Sequence, residues 1–203
     1  MTLIRVRNLW FKYYEEGPWI LRDINLVVYP GDLILVYGPN GSGKSTVAKL
    51  IAGLKVFYQG KVKGDIEVCG IDVLKEPERA VEVLGYVAED PESQLLTPLV
   101  INELILTPIN LGIDLNTSIK IAKEIAEIMR IKHLLNKSTN ELSAGEAQRV
   151  ALSAALTIKP RAIVMDEPLA YLDFESANTF VKYVAKLASS GASIIVFENI
   201  FHQ

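Results

Sequence analysis

The hydrophobic and polar positions along the chain predict buried strands that alternate with amphipathic helices. Short, continuous apolar runs are typical of strands that are covered on both faces. Such runs occupy Leu33–Tyr37, Ala162–Met165 and Ser193–Phe197. Apolar residues at helical spacing follow in residues 44–54, 117–131, 143–157 and 175–190. We therefore predict an α/β fold with a mainly parallel sheet and helices on both of its faces.

The regions outside this core have different patterns. Residues 3–14 and 24–29 are typical of strands, and glycines punctuate a short β region around Ile66–Cys69, so we expect an N-terminal antiparallel β region. Residues 75–140 contain helices and prolines but no buried-strand run. We expect a helical subdomain over approximately 75–155, inserted in a single domain of 1–203. Its predicted helix at 117–131 would begin at Thr117 or Ser118 as the N-cap residue.

Composition narrows the class of protein. The 203 residues are 50% hydrophobic and 22% charged, which is typical of a globular chain. The formal net charge is -3, so we expect no nucleic-acid partner. A single cysteine, Cys69, excludes a disulfide framework and a cysteine-rich zinc site. No apolar run approaches the roughly 18 residues that would span a bilayer, and the N-terminus is not typical of a signal peptide. These features favour a soluble, intracellular protein.

A glycine-rich segment between a predicted strand and a predicted helix carries the first candidate chemistry. It matches G-x-x-x-x-G-K-[ST], in which backbone N–H groups and the helix N-terminus surround a chain of phosphates. Lys44 would reach the β- and γ-phosphates, and Ser45 would bind magnesium. The candidate nucleotide-binding residues are Gly38, Asn40, Gly41, Ser42, Gly43, Lys44, Ser45 and Thr46.

Two carboxylates follow the predicted strand Ala162–Met165. Asp166 and Glu167 would stand at its carboxyl end, where ligands of parallel sheets bind. Asp166 is a candidate magnesium ligand, through water or through Ser45. Glu167 is a candidate catalytic base that polarises the attacking water. Without the glycine loop, the same pair would be an ordinary acidic turn.

Leu142–Glu146 begins another predicted helix and has two interpretations. Ser143 and Gly145 at a helix N-terminus form a candidate anion site. Ser143 with Glu146 three residues later also matches a capping box, which needs no ligand. The segment alone leaves both interpretations open.

Together these motifs resemble those of the ATP-binding subunits of ABC transporters, over residues 3–199. Gly38–Thr46 is similar to the Walker A motif and Ala162–Glu167 to Walker B. Leu142–Glu146 resembles the signature sequence, and Leu172-Asp173 the D-loop. The resemblance implies a P-loop NTPase core, ATP and Mg²⁺ as cofactors, and ATP hydrolysis coupled to transport of a solute.

The resemblance also implies partners and a place in the cell. Such ATPases form head-to-tail dimers, here a homodimer or heterodimer, in which the signature residues contact the ATP of the partner subunit. These residues are Ser143, Ala144, Gly145 and Glu146. The dimer binds polytopic transmembrane subunits at the cytoplasmic, inner face of the cell membrane. Tyr13 has the place of an aromatic residue that stacks on adenine, although packing beside Phe11 is the alternative for it.

Short sequences further along the chain refine this resemblance. Asp90–Leu95 and Asn110–Ile113 resemble ATPases of cobalt and energy-coupling-factor importers. A GTPase would carry N-K-x-D, and Asn136–Thr139 lacks the aspartate. The family's DNA-repair relatives need long insertions that 203 residues do not hold.

Two residues depart from the family's pattern at positions that sense the γ-phosphate. Glu89 stands where a magnesium-binding glutamine is expected, and Asn199 where a histidine is expected. A shift of register would bring Glu198 there instead, and His202 is too far along the chain. We hypothesise that the chain binds ATP but hydrolyses it slowly. Two alternatives remain: a regulatory ATP-binding subunit with little hydrolysis, and an ABC ATPase outside transport.

The end of the chain leads to one more expectation. Four residues follow Asn199, whereas the family continues with further structure that covers the edge of the sheet. We therefore expect the chain to be shortened at its C-terminal end.

Overall fold

Two β-sheets and a set of helices are described over residues 2–54 and 60–199 of this computed structural model. The chain divides into two units. The described part of the first consists of residues 2–54, 60–86, 161–167 and 185–199, and the second consists of Val87–Pro160 and Pro168–Val184. His202, the histidine that follows Asn199 in the sequence, lies outside the described residues.

The described strands and helices have the following bounds. The strands are β1 (Ile4–Lys12), β2 (Leu21–Val28), β3 (Leu33–Gly38), β4 (Lys61–Val68), β5 (Ile71–Asp72), β6 (Leu84–Val87), β7 (Ala162–Asp166) and β8 (Ser193–Asn199). The helices are α1 (Lys44–Ile51), α2 (Pro77–Ala80), α3 (Pro91–Gln94), α4 (Val100–Asn110), α5 (Leu115–Ile128), α6 (Ala144–Leu156) and α7 (Phe174–Ser189). The predicted α/β class with parallel and antiparallel sheets is confirmed.

The antiparallel sheet has the strand order β2-β1-β4-β5. Its inner strand β1 buries Ile4, Val6, Leu9 and Phe11, and the residues between them are half-buried or exposed. This near-alternation is what a sheet with one covered face requires. The register between β1 and β4 shifts between Arg7 and Trp10, so the two strands do not pair regularly there.

The parallel sheet has the order β3-β8-β7-β6, and β8 pairs in parallel with both β3 and β7. All five residues of β7 are buried, as its apolar run predicts. Helix α1 packs against β3, β7 and β8. Because parallel strands end at one edge of their sheet, Gly38, Asp166 and Asn199 come to the same edge.

The sequence prediction is wrong for two strands. Leu33, Leu35 and Tyr37 of β3 are 53%, 59% and 69% exposed, although the apolar run predicted burial on both faces. β3 is one of the two edge strands of its sheet, and the described residues cover only its other face. The expectation of no buried strand in 75–140 is also wrong, because Leu84–Val87 is a strand. With four residues and a glycine, β6 is too short to show a periodic pattern.

The second unit is mainly helical, and in it α4, α5 and α6 pack against one another. The predicted opening of α5 at Thr117 or Ser118 is wrong. Asp114 is the N-cap, and its carboxylate accepts a hydrogen bond from the Thr117 N–H at 3.0 Å. A charged acceptor of this kind is among the strongest N-caps. Within the described chain, every helix is too short or too polar to cross a bilayer.

Two glycines of the antiparallel sheet provide a test of its packing. A Cβ on Gly64 would lie 2.4 Å from the carbonyl oxygens of both Arg7 and Asn8, whereas a Cβ on Gly70 would have open space. Both have left-handed φ, +92° and +87°. Gly70→Ala should therefore cost only the left-handed strain, about 1–2 kcal/mol. Gly64→Ala should cost more, since backbone must move as well.

Urea unfolding of the two variants and the unchanged chain measures both costs. Equal loss of unfolding free energy in Gly64→Ala and Gly70→Ala would contradict the close approach of β1 and β4 at Gly64.

Candidate functional site

The glycine-rich loop joins β3 to α1 within the first unit. Gly43 is the N-cap of α1 and has φ of +93°. A Cβ at this position would lie 2.8 Å from Cδ2 of Leu21, the end of a side chain that can shift, so the left-handed φ is the stronger reason for glycine here. Asn40, Gly41 and Ser42 are exposed at the tip of the loop. The loop thus offers solvent-accessible backbone at the N-terminus of a helix, as a phosphate chain requires.

Lys44 is the most enclosed cation of the site, with 9% of its surface exposed. Its ammonium donates to the carbonyl oxygens of Gly38 at 2.8 Å and Pro39 at 3.0 Å, and to Oδ1 of Asn199 at 2.9 Å. An ammonium has three N–H donors, and these three acceptors use them all. Among the described residues, the charge is therefore held by neutral oxygens rather than by direct contact with a carboxylate.

Ser45 and Asp166 are brought together as the sequence predicted. The Ser45 hydroxyl donates to Oδ1 of Asp166 at 3.1 Å, and Asp166 is fully buried. A hydroxyl and a carboxylate are the hard oxygen ligands that Mg²⁺ prefers, and the ion usually adds phosphate and water oxygens to one or two such groups. The pair therefore fits magnesium. A group of three His, Cys, Asp or Glu side chains that could hold a metal is not found among residues 2–54 and 60–199.

Glu167 has an unusual backbone conformation at the end of β7. Its φ is +48°, in the left-handed region that a residue with a side chain rarely adopts, and its N–H donates to the Phe197 carbonyl oxygen at 2.8 Å. Only 6% of Glu167 is exposed. Strain of this kind costs about 1–3 kcal/mol and is concentrated at functional sites. The end of β7 thus places the buried carboxylate of Glu167 at the edge of the parallel sheet where the glycine-rich loop lies.

Asn199, at the end of β8, contacts both halves of this site. In addition to the bond from Lys44, its amide Nδ2 donates to Oε1 of Glu167. The sequence predicted that Asn199 takes the position of the family's histidine, but not that it joins these two residues. The contact depends on a strand register between distant segments, for which the sequence carries no local signal.

Tyr13 lies just after β1 and contacts the loop through its hydroxyl. That hydroxyl is 2.7 Å from Oγ1 of Thr46, which is buried. The Tyr13 ring also packs edge-on against Phe11, with centroids 4.9 Å apart. Both interpretations of Tyr13 thus find support: the ring packs beside Phe11, and it lies beside the phosphate loop. Its stacking on adenine stays a prediction.

The signature residues begin α6 in the second unit. The Ser143 side chain accepts from the Glu146 N–H at 3.3 Å, and Oε2 of Glu146 accepts from the Ser143 N–H at 2.8 Å. This is the capping box that the sequence left open. Lys137, which the sequence did not single out, contacts the same carboxylate at 3.1 Å. The Ser143 N–H, and after it Lys137, lower the pKa of the Glu146 carboxyl below its ordinary value.

The next two signature positions lie in the first turn of α6. Ala144 and Gly145 are both partly exposed. A Cβ on Gly145 would lie 2.8 Å from the Tyr171 carbonyl oxygen. The segment that follows Glu167 therefore passes too close to α6 for any side chain at position 145.

Glu89 also lies in the second unit, where it is exposed in the segment between β6 and α3. The backbone on either side of it is held in place. The Ala88 N–H donates to Oε1 of Gln94 at 2.8 Å, and the Asp90 carboxylate accepts from the Glu92 N–H at 3.1 Å. The role of Glu89 toward magnesium or the γ-phosphate stays a prediction.

Comparisons with known proteins identify similar chains. Residues 21–170 match the family model described as ABC transporter. An ABC transporter ATP-binding protein of Treponema denticola is 29% identical over 98% of this chain and 41% of its own length. The energy-coupling factor transporter ATP-binding protein of Methanocaldococcus jannaschii is 31% identical over 97% of this chain and 70% of its own.

One solved structure has a similar fold. It is cbiO1 from Clostridium perfringens, described as part of the ABC transporter complex cbiONQ. The TM-score is 0.77 at 25% identity, over 97% of this chain and 77% of the other. The chain thus spans less than half of the Treponema relative and about three quarters of this structure.

The capping box at α6 leads to a prediction about stability and pH. Glu146→Ala should lower the free energy of unfolding by about 0.5–1.5 kcal/mol, the net value of one hydrogen bond. Glu146→Gln should lower it less, because the amide oxygen still accepts from Ser143. Since the folded-state pKa of Glu146 is lowered, the contribution of its charge is fully present above the unfolded pKa, about 4.3. It is lost as the pH falls through the lower folded pKa.

Thermal unfolding of the unchanged chain and of Glu146→Gln between pH 3 and 7 measures this difference. Glu141→Gln, at an exposed position just before α6, is the matched control. A stability difference that is the same at every pH would contradict the role of the Glu146 charge.

Proposed function

The chain belongs to the ABC transporter family, and on this premise we propose that it is the ATP-binding subunit of an ABC transporter. Its proposed activity is ATP hydrolysis, coupled in a head-to-tail dimer to the movement of a solute. The observation that carries the proposal is the meeting of the phosphate loop with Asp166 and Glu167 at one edge of the parallel sheet. Ligands of such sheets bind at this edge.

The phosphate loop would bind ATP through its backbone and Lys44. The N–H groups of Asn40 and Gly41, two exposed residues of the loop, and the positive end of α1 would hold the phosphate oxygens. Lys44 already lies against the loop through the Gly38 and Pro39 carbonyls, so it approaches the phosphates from inside. Thr46 and Tyr13 would complete the site on the side of the nucleoside.

Hydrolysis would depend on Glu167 as the base that orients and deprotonates the attacking water. Its strained, buried position at the strand end fixes where the carboxylate points. Ser45 and Asp166 would hold magnesium, which when bound supplies positive charge to the transferring phosphoryl group. Lys44 would stabilise the same charge from the loop.

Glu89 and Asn199 favour slow turnover of this site. Asn199 donates a hydrogen bond to Glu167, so the carboxylate oxygen Oε1 is already engaged. An amide also cannot carry a proton, unlike the family's histidine. Steady-state ATP hydrolysis by the purified chain, alone and with a partner ATPase, tests this. Turnover at ordinary transporter-ATPase rates by the chain alone would contradict it.

A second ATPase subunit would complete the site. Ser143, Ala144, Gly145 and Glu146 would contact the ATP bound by that subunit, from the N-terminus of α6. The capping box supports this role, since the Ser143 side chain uses its oxygen as an acceptor and keeps its O–H for a phosphate oxygen. A heterodimer would let these residues serve a more active partner.

The remaining partners are polytopic transmembrane subunits, at the cytoplasmic face of the membrane. The similarity to an energy-coupling-factor ATPase and to cbiO1 supports the importer branch that takes up small solutes. The helical subdomain, expected over approximately 75–155, would transmit dimer closure to those subunits. Copurification of the chain with transmembrane subunits expressed beside it tests this partnership.

Glu167→Gln is the sharpest test of the chemical step. The amide keeps the shape of the side chain but removes the base, so kcat should fall by about 10²–10⁴-fold while ATP binding is retained. ATP titration and phosphate release measure the two effects separately. Glu175→Gln, at an exposed position, is the control and should leave both ATP binding and kcat unchanged. Unchanged turnover in Glu167→Gln would show that Glu167 is not the base.

Lys44→Ala tests the phosphate loop. Removal of the only ammonium that contacts the described loop should abolish measurable ATP binding, because the β- and γ-phosphates lose their main cationic partner. Lys49→Ala, in the same helix but outside the loop, is the control. Retained ATP affinity in Lys44→Ala would place the nucleotide elsewhere.

A further inference from the structure

The segment between β1 and β2, which we call the 13–20 loop, contacts the start of α1 at both of its ends. At the beginning of this loop, the Tyr13 hydroxyl lies 2.7 Å from Oγ1 of Thr46. At its end, Cγ2 of Ile20 lies 3.8 Å from the place that a Cβ on Gly43 would take. The 13–20 loop therefore lies on the side of the phosphate loop that the proposed function assigns to the nucleoside.

Most of the 13–20 loop is open to solvent. Its exposed residues are Tyr14, Glu15, Glu16, Pro18 and Ile20. Its backbone meets β1 where the Ile20 N–H donates to the Phe11 carbonyl oxygen at 2.8 Å. A segment with few buried contacts opens easily, so its side-chain anchors decide how well such a loop is ordered.

Trp19 is the anchor of this loop, because it is half-buried and packs on side chains of β1 and β4. The ring of Trp10 lies at 80° to that of Trp19, with centroids 5.7 Å apart, which is an attractive edge-to-face pair. The ammonium groups of Lys12 and Lys63 lie 5.4 Å and 5.1 Å from the centroid of the Trp19 ring. Cations at this distance are attracted by the face of the ring. We call these four side chains the Trp19 clasp.

The Trp19 clasp closes the base of the 13–20 loop. Lys12 comes directly before Tyr13 in the chain. Trp19 likewise comes directly before Ile20. The contact of Lys12 with Trp19 therefore joins the neighbours of the two residues that contact the start of α1. Tyr13 packs instead against Phe11 of the core, and successive residues of a strand point to opposite faces, so the clasp leaves the space beside α1 open.

We propose that Trp19 is a positioning residue that orders Tyr13 and Ile20 for binding the nucleoside part of ATP. This inference rests on the proposed ATPase function and deepens it, because it concerns the base and ribose rather than the phosphates. The clasp orders the two residues before the nucleotide arrives, and a site that is already ordered loses less conformational entropy on binding. The phosphates bind to Lys44 and to the backbone of the glycine-rich loop, and none of the clasp contacts involves these groups.

Trp19→Ala separates this role from a general contribution to folding. Calorimetry measures the binding of two ligands to the purified chain: MgATP, and inorganic tripolyphosphate, which has the phosphates but no base or ribose. In Trp19→Ala the ATP affinity should fall by about threefold to tenfold, a part of what one stacked base contributes. The tripolyphosphate affinity should stay the same. Tyr29→Ala, which removes an exposed aromatic ring elsewhere in the first unit, is the matched control and should change neither affinity.

Two further variants test the contacts within the clasp. Trp19→Phe keeps an aromatic face for the two ammonium groups and should recover most of the ATP affinity. Lys63→Gln removes one of the two charges over the ring. Loss of a surface charge by itself weakens the binding of both anions alike. A looser clasp weakens only ATP binding, so the ratio of ATP affinity to tripolyphosphate affinity should fall by about twofold in Lys63→Gln.

Lys61→Gln is the control for the lysine variant, because Lys61 lies on the same strand but outside the clasp. Its ammonium pairs with Glu15 at 3.4 Å, and both side chains are exposed. Exposed ion pairs contribute little, so the ratio of the two affinities should not change in Lys61→Gln.

The ratio of ATP affinity to tripolyphosphate affinity decides the outcome. An unchanged ratio in Trp19→Ala, with normal ATP binding by the unchanged chain, would overturn the inference alone, whether neither ligand is weakened or both are weakened equally. Failure of Trp19→Phe to bind ATP better than Trp19→Ala would overturn it as well. Absence of ATP binding by the unchanged chain would instead overturn the proposed function, on which the inference rests.

Discussion

The parallel register of β3, β8 and β7 is the constraint on which the candidate site depends. It sets Gly38 beside Asn199 and Asp166 beside Phe197, so the phosphate loop, the two carboxylates and the amide reach one edge of the sheet. A shift of one residue turns every side chain of a strand to the opposite face. In β8 such a shift would bring Glu198 beside Glu167 and place like charges together.

The need to stabilise buried charges explains the hydrogen bonds of Lys44 and Glu167 in this site. Lys44, Asp166 and Glu167 are each at most 9% exposed, and a buried charge without partners is strongly destabilising. The ammonium is held by three oxygens, and the Glu167 carboxylate receives the amide of Asn199. One neutral side chain therefore separates two opposite charges and contacts both. The dipole of the amide stabilises each charge without a direct ion pair between them.

Much of the fold and part of the site follow from the sequence, for identifiable reasons. The motif at Gly38–Thr46 and the strand before Asp166 depend on local spacing, so their positions are predicted well. The exposed face of β3 and the strand Leu84–Val87 depend on which elements cover them, and an apolar run does not contain that information. The contact of Asn199 with Lys44 depends on pairing between segments 155 residues apart. Local patterns predict which residues stand at strand ends, and tertiary register decides which of them touch.

The start of α6 shows why a structural and a functional interpretation of one segment need not compete. Ser143 and Glu146 satisfy each other's backbone N–H groups, which is enough to explain both residues by helix stability. The same bonds hold the first turn rigid and keep the Ser143 O–H available as a donor. Position 145 must be glycine for a reason unrelated to capping, since the Tyr171 carbonyl oxygen leaves no space for a side chain there. The capping box uses the N–H groups of Ser143 and Glu146 but not those of Ala144 and Gly145, so it is compatible with the proposed signature role.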